Sequence, residues 1–342
     1  AMLKNSPTAE EYPNDDGVYL VDNKRRVVYE EGASEVQNEV LLKLFNMDGI
    51  DRFKEYNLAY NSHSEVLIIE KAVVLKADGT EIKADEKNGK VIFKSLVPND
   101  HIYIKWRVQN YYQGRLSQHL WEEIHFNFFF PVKERKYSLL IPKGYSIQTK
   151  TQFMSDEPEI SKTRDGLLHE WVLYDQPAIE SEYNTKNLDD YGKMLFISTI
   201  PDWEYLVDWY LDLAKTKTRS SYEVQEVVAE LLAGKPDITD MAKIELIYNY
   251  ITENIRYSSV SFRQSGLIPQ KARDVLVQRI GDCKDVATLC ISMLKEAGIP
   301  AHYVLVNTFK EGLNKDILPA IEFNHAIAGV ETDQGLIYMD LT

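Results

Sequence analysis

Three residues in the last sixty of this 342-residue chain have the types that nucleophilic acyl chemistry needs: Cys283 in "RIGDCKDVATLC", His325 in "FNHAIAGV" and Asp340 in "LIYMDLT". A thiolate attacks a carbonyl carbon, an imidazole moves the proton that the leaving group requires, and a carboxylate holds that imidazole in one tautomer. Whether the three can act together depends on the elements that carry them.

Cys283 follows Gly281-Asp282 at the start of a predicted helix. Asp282 can serve as N-cap, and Asp285, three positions on, can bond back to the cap's own N–H, a carboxylate form of the capping box. Val286, Leu289, Met293 and Leu294 make an apolar stripe, and Gly298 with Pro300 ends the helix. Cys283 then sits in the first turn, where free N–H groups and the positive end of the helix dipole favour thiolate over thiol. The plainer alternative is a small buried hydrophobe, as most free cysteines are. Cys290, on the apolar stripe, is read that way. Seven residues along a helix is about 10.5 Å, beyond the roughly 4.4–6.8 Å between Cα atoms that a disulfide tolerates. With only these two cysteines, no metal site of the usual spacing and no cofactor is expected.

Seven histidines could supply the base. His63, His101, His119, His125 and His169 lie in a strand-rich region, and His302 opens a strand directly after the cysteine helix; each reads more simply as a surface or structural residue. His325 differs because "ETDQG" is a turn-forming tract, so "FNHAIAGV" and "LIYMDL" form a hairpin with His325 opposite or diagonal to Asp340. Residue-number sums of 665 or 667 across the pair keep both on one face, whereas 666 separates them. An aspartate flanked by apolar residues also calls for a partner if it is buried.

The elements that must position these residues form the second of two regions. Up to about residue 200 the chain reads as strands: "EVLIIEKAVVLKADGTEIKA" turns at Asp78-Gly79, "HIYIKWRVQNYY" alternates, and in "WEEIHFNFFF" Ile124, Phe126, Phe128 and Phe130 share a face. An antiparallel β-sandwich is expected there, with residues 176–193 as the linker candidate. From Pro201 onward the apolar spacing is helical until three short strand-like runs close the chain. The fold class expected is therefore α+β, in two domains of residues 1–200 and 201–342.

The charge balance excludes one class of partner. Lys+Arg total 39 against 53 Asp+Glu, a formal net charge of −14, which repels a phosphate backbone, so no nucleic-acid partner is expected. No apolar run is long enough for a membrane span.

The blocks "NIRYSSVSF", "PQKARDVLVQRIGDCKDVATLCISMLKEAGIPAHYVLV", "FNHAIAGV" and "LIYMDLT" resemble the core of the transglutaminase-like superfamily, with its papain-like arrangement of Cys, His and Asp. The resemblance implies Cys283 as nucleophile, His325 as base and Asp340 as its orienter. The strand-rich region resembles the domain of unknown function DUF3857, often found ahead of this core in bacterial proteins, especially of Bacteroidetes. The activity implied is acyl transfer through a thioester, on a glutamine carboxamide or a peptide bond of a protein or peptide substrate. The Cys283 N–H is one oxyanion donor, and Gln264 or Tyr257 is the second. The alternatives are a peptidase or amidase with water as acceptor, and a non-catalytic binding or assembly protein with a relic triad. Two expectations complete the reading: an extracytoplasmic bacterial location, and a further C-terminal segment beyond Thr342 that buttresses the Asp340 strand.

Overall fold

The computed structural model describes residues 6–30, 32–62, 64–110, 115–154, 157–180, 188–258, 267–308 and 318–342. The chain is α+β and divides into two compact units. One takes the described residues up to Pro201 together with 318–320; the other takes those from Asp202 to 308 and from Ile321 to Thr342.

The first unit opens with β1 (Gly17–Val28), β2 (Ser34–Leu44), α1 (Met47–Phe53), β3 (Glu55–Asn57) and β4 (Glu65–Leu75). It continues through β5 (Glu81–Lys83), β6 (Asp85–Lys87), β7 (Lys90–Ile92), β8 (His101–Asn110) and β9 (Trp121–His125). Its last strands are β10 (Val132–Ile141), β11 (Gln148–Gln152), β12 (Glu159–Lys162), β13 (Leu167–Gln176) and β14 (Met194–Ser198). Eight of them form one sheet in the order β12-β13-β10-β1-β2-β8-β4-β5. Val40, Leu42 and Leu44 of β2 pack under the small sheet β3-β7-β6, while Tyr137, Leu139 and Ile141 of β10 pack under β11-β14-β9. The registers Asp22↔Val40 and Asp22↔Arg135 put both groups on the same face of the large sheet.

The expected fold class holds, with one refinement to the antiparallel sandwich: β1 and β10 run parallel, so the otherwise antiparallel large sheet is mixed. Alternation along a strand reports which face is buried and carries no information on the direction of its neighbour. Residues 176–193 do not mark the boundary either. Beyond them β14 pairs with β9 and β11, which keeps the chain in the first unit until Pro201. His63 lies outside the described residues.

Two polar clusters are built into this unit. Glu122 is buried with the Arg26 guanidinium at 2.8 Å, the Tyr137 hydroxyl at 2.7 Å and the Lys24 ammonium beside it. Burial alone would raise its carboxyl, but Arg26 and Lys24 outweigh that and hold it far below the usual carboxylate range. His101 is 5% exposed, pairs across the sheet with Lys43, and its Nε2 has no partner among the described residues. Burial first, then the Lys43 charge, lowers its imidazole to about 4 against the opposing pull of Asp100. The unfolded chain takes up this proton as pH falls below about 6.5, but the folded chain only near 4. Stability is therefore lost as pH falls through that window. We expect His101→Gln to flatten the decline of the urea midpoint between pH 6.5 and 4; an unchanged slope would count against the assignment.

The second unit runs through α2 (Trp203–Ala214), α3 (Tyr222–Leu232), α4 (Asp240–Asn254), β15 (Arg256–Tyr257) and α5 (Ala272–Gln278). It closes with β16 (Ile280–Gly281), α6 (Cys283–Glu296), β17 (Ala301–Val306), β18 (His325–Thr332) and β19 (Gly335–Met339). Residues 285–294 of α6 are all buried, so the helix is surrounded rather than merely packed on one side. Ile244, Ile247 and Ile251 of α4 and Val224 and Val228 of α3 cover it, together with Ala328 and Val330 of β18. Each large apolar side chain so buried stabilises by about 1.5–3 kcal/mol, which makes α6 the most constrained element of this unit.

Candidate active site

The start of α6 is fixed by local chemistry on both sides. α5 ends on Arg279 in the left-handed conformation (φ 55°), which turns the chain into β16. β16 pairs in parallel with β15, matching Tyr257 to Gly281, and the Arg256 and Ser258 N–H groups donate to Arg279 and Gly281 carbonyls at 2.9 Å. A Cβ on Gly281 would lie 2.7 Å from the Asp285 Cβ, so only glycine lets the turn pass this close.

The capping box forms as the sequence predicts. The Asp285 N–H donates to Asp282 Oδ1 at 3.3 Å and the Asp282 N–H donates to Asp285 Oδ2 at 3.2 Å. Asp285 does more than cap. It is 1% exposed and also accepts from the Gln270 backbone N–H at 2.7 Å and Gln270 Nε2 at 2.9 Å. Lys284 forms an ion pair with Asp282.

Cys283 is the first residue of α6 and is half-buried. Among the described residues, its N–H and that of Lys284 have no backbone acceptor, as expected for a first turn. Cys290 is fully buried, and burial pushes its thiol up to about 12, which leaves it inert.

β18 and β19 pair with a constant sum of 667, as in Ala328↔Met339 and Gly329↔Tyr338. This is one of the two sums that keep His325 and Asp340 on one face. His325 Nε2 lies 3.0 Å from Asp340 Oδ2, and Asp340 Oδ1 accepts from the Thr342 N–H at 3.2 Å and hydroxyl at 2.9 Å. Partial burial would raise the Asp340 carboxyl, but the bonds from His325 and Thr342 outweigh it and hold it below its ordinary value. The Asp340 side chain is 54% exposed, so burial is not what calls for its partner. Met339 and Leu341 point into the core instead, which turns Asp340 outward beyond the end of β19.

The hairpin end and the thiol lie toward the same end of α6. After α6 the chain reverses into β17, and the Thr288 hydroxyl of α6 meets the Tyr303 hydroxyl of β17 at 2.8 Å. From Thr288 back to Cys283 is five residues, about 7.5 Å along the axis. From Tyr303 on to Val306 is three residues, about 10 Å in the same direction. Val306 pairs with His325. Among the described residues no hydrogen bond joins Cys283 to His325, and the one side-chain partner of His325 is Asp340, on Nε2. Tyr257 links the two halves: burial raises its phenol, and the charges that raise it further are Cys283 and Asp282 from α6 and Asp340 from the hairpin. Its ring remains 44% exposed. Gln264, the other oxyanion candidate, lies outside the described residues.

Two residues at this site were not legible in the sequence. Gln270 sits in "IPQKAR" with no local signal that its amide reaches Asp285. Tyr210 falls on the buried stripe of α2 with Leu206 and Ala214, where an aromatic reads as core. No cluster of three His, Cys, Asp or Glu suited to a metal ion occurs among the described residues.

Comparison with known proteins agrees with this layout. Residues 225–341 match the transglutaminase-like superfamily. A crystal structure of a candidate protease from Parabacteroides distasonis superimposes with a TM-score of 0.78 at 18% identity, covering 96% of this chain and 67% of that one. At that identity the likeness speaks to the fold alone. A candidate cysteine protease from Cytophaga hutchinsonii, 16% identical, covers 66% of this chain and 78% of its own at a TM-score of 0.29, too low to carry an argument. A comparison with curated proteins found no match. The stretch that is similar to the transglutaminase-like superfamily runs from within α3 to Leu341 and contains Cys283, His325 and Asp340.

Proposed function

We propose that the second unit is a cysteine acyltransferase or hydrolase in which Cys283, His325 and Asp340 act as nucleophile, base and orienter. The observation that carries this reading is the His325 Nε2 to Asp340 bond, which fixes the imidazole and leaves Nδ1 for the thiol at the same end of α6.

In the first half-reaction the Cys283 thiolate attacks the carbonyl carbon of a glutamine carboxamide or peptide. The carbonyl electron pair moves to oxygen, held by the Cys283 N–H and the Tyr257 hydroxyl, which its raised phenol keeps protonated. The C–N bond then breaks, the His325 imidazolium gives its proton to the departing amine, and a thioester remains. In the second half, an amine or water attacks the thioester, His325 takes its proton, and the thiolate leaves. Asp340 stays ionised throughout and stabilises the imidazolium. The acceptor distinguishes a transglutaminase-like reaction from hydrolysis. The finer resemblance of the first unit to DUF3857 and an extracytoplasmic location in a bacterium belong to the same proposal, and both rest on sequence resemblance.

The test is incubation with short glutamine-containing peptides, with and without a fluorescent primary amine, followed by acid quench and intact-mass spectrometry. An acyl adduct on Cys283 is expected. Amine-labelled product would assign transfer, and cleaved or deamidated peptide would assign hydrolysis. Absence of adduct and product with every peptide would favour a binding protein with a relic triad.

A further inference from the structure

One strand edge in the second unit has none of the usual protection. Its sheet runs β17-β18-β19, so β19 has a neighbour on one side only. Thr332 and Gly335 pair with just two residues between them, and a pair that close across a turn can only be one that exchanges both N–H···O=C bonds. Bonding then alternates along the hairpin. Val330↔Ile337 and Ala328↔Met339 are bonded pairs, while Leu336 and Tyr338 turn their N–H and C=O groups away from β18. No backbone bond reaches either of them from the far side among the described residues. The same two residues carry exposed side chains, Leu336 at 50% and Tyr338 at 63%.

Soluble proteins blunt such edges with lysine, proline, a bulge or a covering loop. "GLIYM" has no charge and no proline, and its pairing with β18 runs without a register shift. The charges around it have one sign: Glu331, Asp333 and Asp340 are exposed, and residues 318–342 contain no Lys or Arg. A second copy of the chain fits poorly. Antiparallel pairing about Ile337 sets Asp340 of one copy beside Asp333 of the other, where like charges repel. A strand of five residues also buries far less than the roughly 1,000 Å² that a stable interface needs. So short an edge suits a partner that binds and leaves.

We infer that the β19 edge docks an extended segment of a polypeptide substrate as a fourth strand, with apolar side chains at alternate positions against Leu336 and Tyr338 and a Lys or Arg near the carboxylates. It rests on the reading of His325 and Asp340 as part of a reactive site, because β19 runs directly into Asp340 and a strand laid along it leads to the dyad. Backbone bonds supply affinity whatever the sequence, and the apolar and basic positions select among segments.

The test titrates a fluorescent peptide of about ten residues, valine alternating with lysine and threonine, into the whole chain and reads anisotropy. Leu336→Pro removes an outward N–H and spares every bond to β18. Two peptides N-methylated at every second residue, one on the valines and one on the residues between, remove donors from the ligand and leave the protein untouched. Leu336→Pro and at least one methylated peptide are each expected to bind about tenfold more weakly than the unmodified pair. If Leu336→Pro melts early, the methylated peptides decide alone. Unaltered affinity with both of them overturns the proposal. Equal binding by a charge-matched peptide with proline in place of valine does so too, by leaving charge attraction as the cause. A dimer that Leu336→Pro dissociates, seen by sedimentation, would give the edge to a second copy instead. Strand binding without any Cys283 adduct upholds the edge and sinks the triad, and adduct formation without strand binding does the reverse.

Discussion

Cys283→Ala is expected to lower thioester formation and product release by at least about 10⁴-fold, because a triad loses most of its rate when its nucleophile is removed. The fold should be unaffected. Cys283 is half-buried at the first position of α6, and its side chain makes no hydrogen bond among the described residues, whereas the capping box that starts the helix belongs to Asp282 and Asp285. Peptide turnover and thermal melts on the same preparation check both halves of the expectation. Cys290→Ala is the comparison variant: its thiol sits in the core, so that change should lower stability by a small cavity cost and leave turnover in place. Activity retained in Cys283→Ala would place the chemistry elsewhere.

Asp285→Ala should have the largest effect on stability. Its carboxylate is fully buried and satisfies three donors: the Gln270 N–H, Gln270 Nε2 and the Asp282 N–H. Removing it leaves backbone donors of the turn and of the cap unpaired in the interior, at a cost of about 3–5 kcal/mol. Asp285→Asn keeps an acceptor oxygen and should lose roughly half as much. The urea midpoint of the second unit reads this directly. A loss in Asp285→Ala under about 1 kcal/mol would mean that the Gln270 segment is held by other contacts.

The parts of this site that the sequence discloses are those set by contacts a few residues long. "GDCKD" contains its own cap, so the helix start and the position of Cys283 follow from spacing alone. The turn in "ETDQG" narrows the β18–β19 register to a few sums, and the observed 667 is one of the two that keep His325 and Asp340 on one face. What the sequence hides is set by partners far away in the chain. Strand direction between β1 and β10, separated by more than a hundred residues, leaves no trace in the alternation of either. The bond from Gln270 to Asp285 and the approach of Tyr210 to the α6 start depend on how helices pack. Asp340 illustrates a subtler point. Its apolar neighbours are the buried residues: at the end of a strand the alternation sends Met339 and Leu341 inward and Asp340 out.

The central claim is that Cys283 and His325 form a reactive pair. The most direct measurement is the rate of Cys283 alkylation by iodoacetamide against pH in wild type and His325→Ala, resolved by site so that the buried Cys290 does not contribute. The account predicts labelling of Cys283 that is markedly faster at and below neutral pH in wild type than in His325→Ala. Superimposable profiles, both centred near the ordinary thiol value, would contradict it.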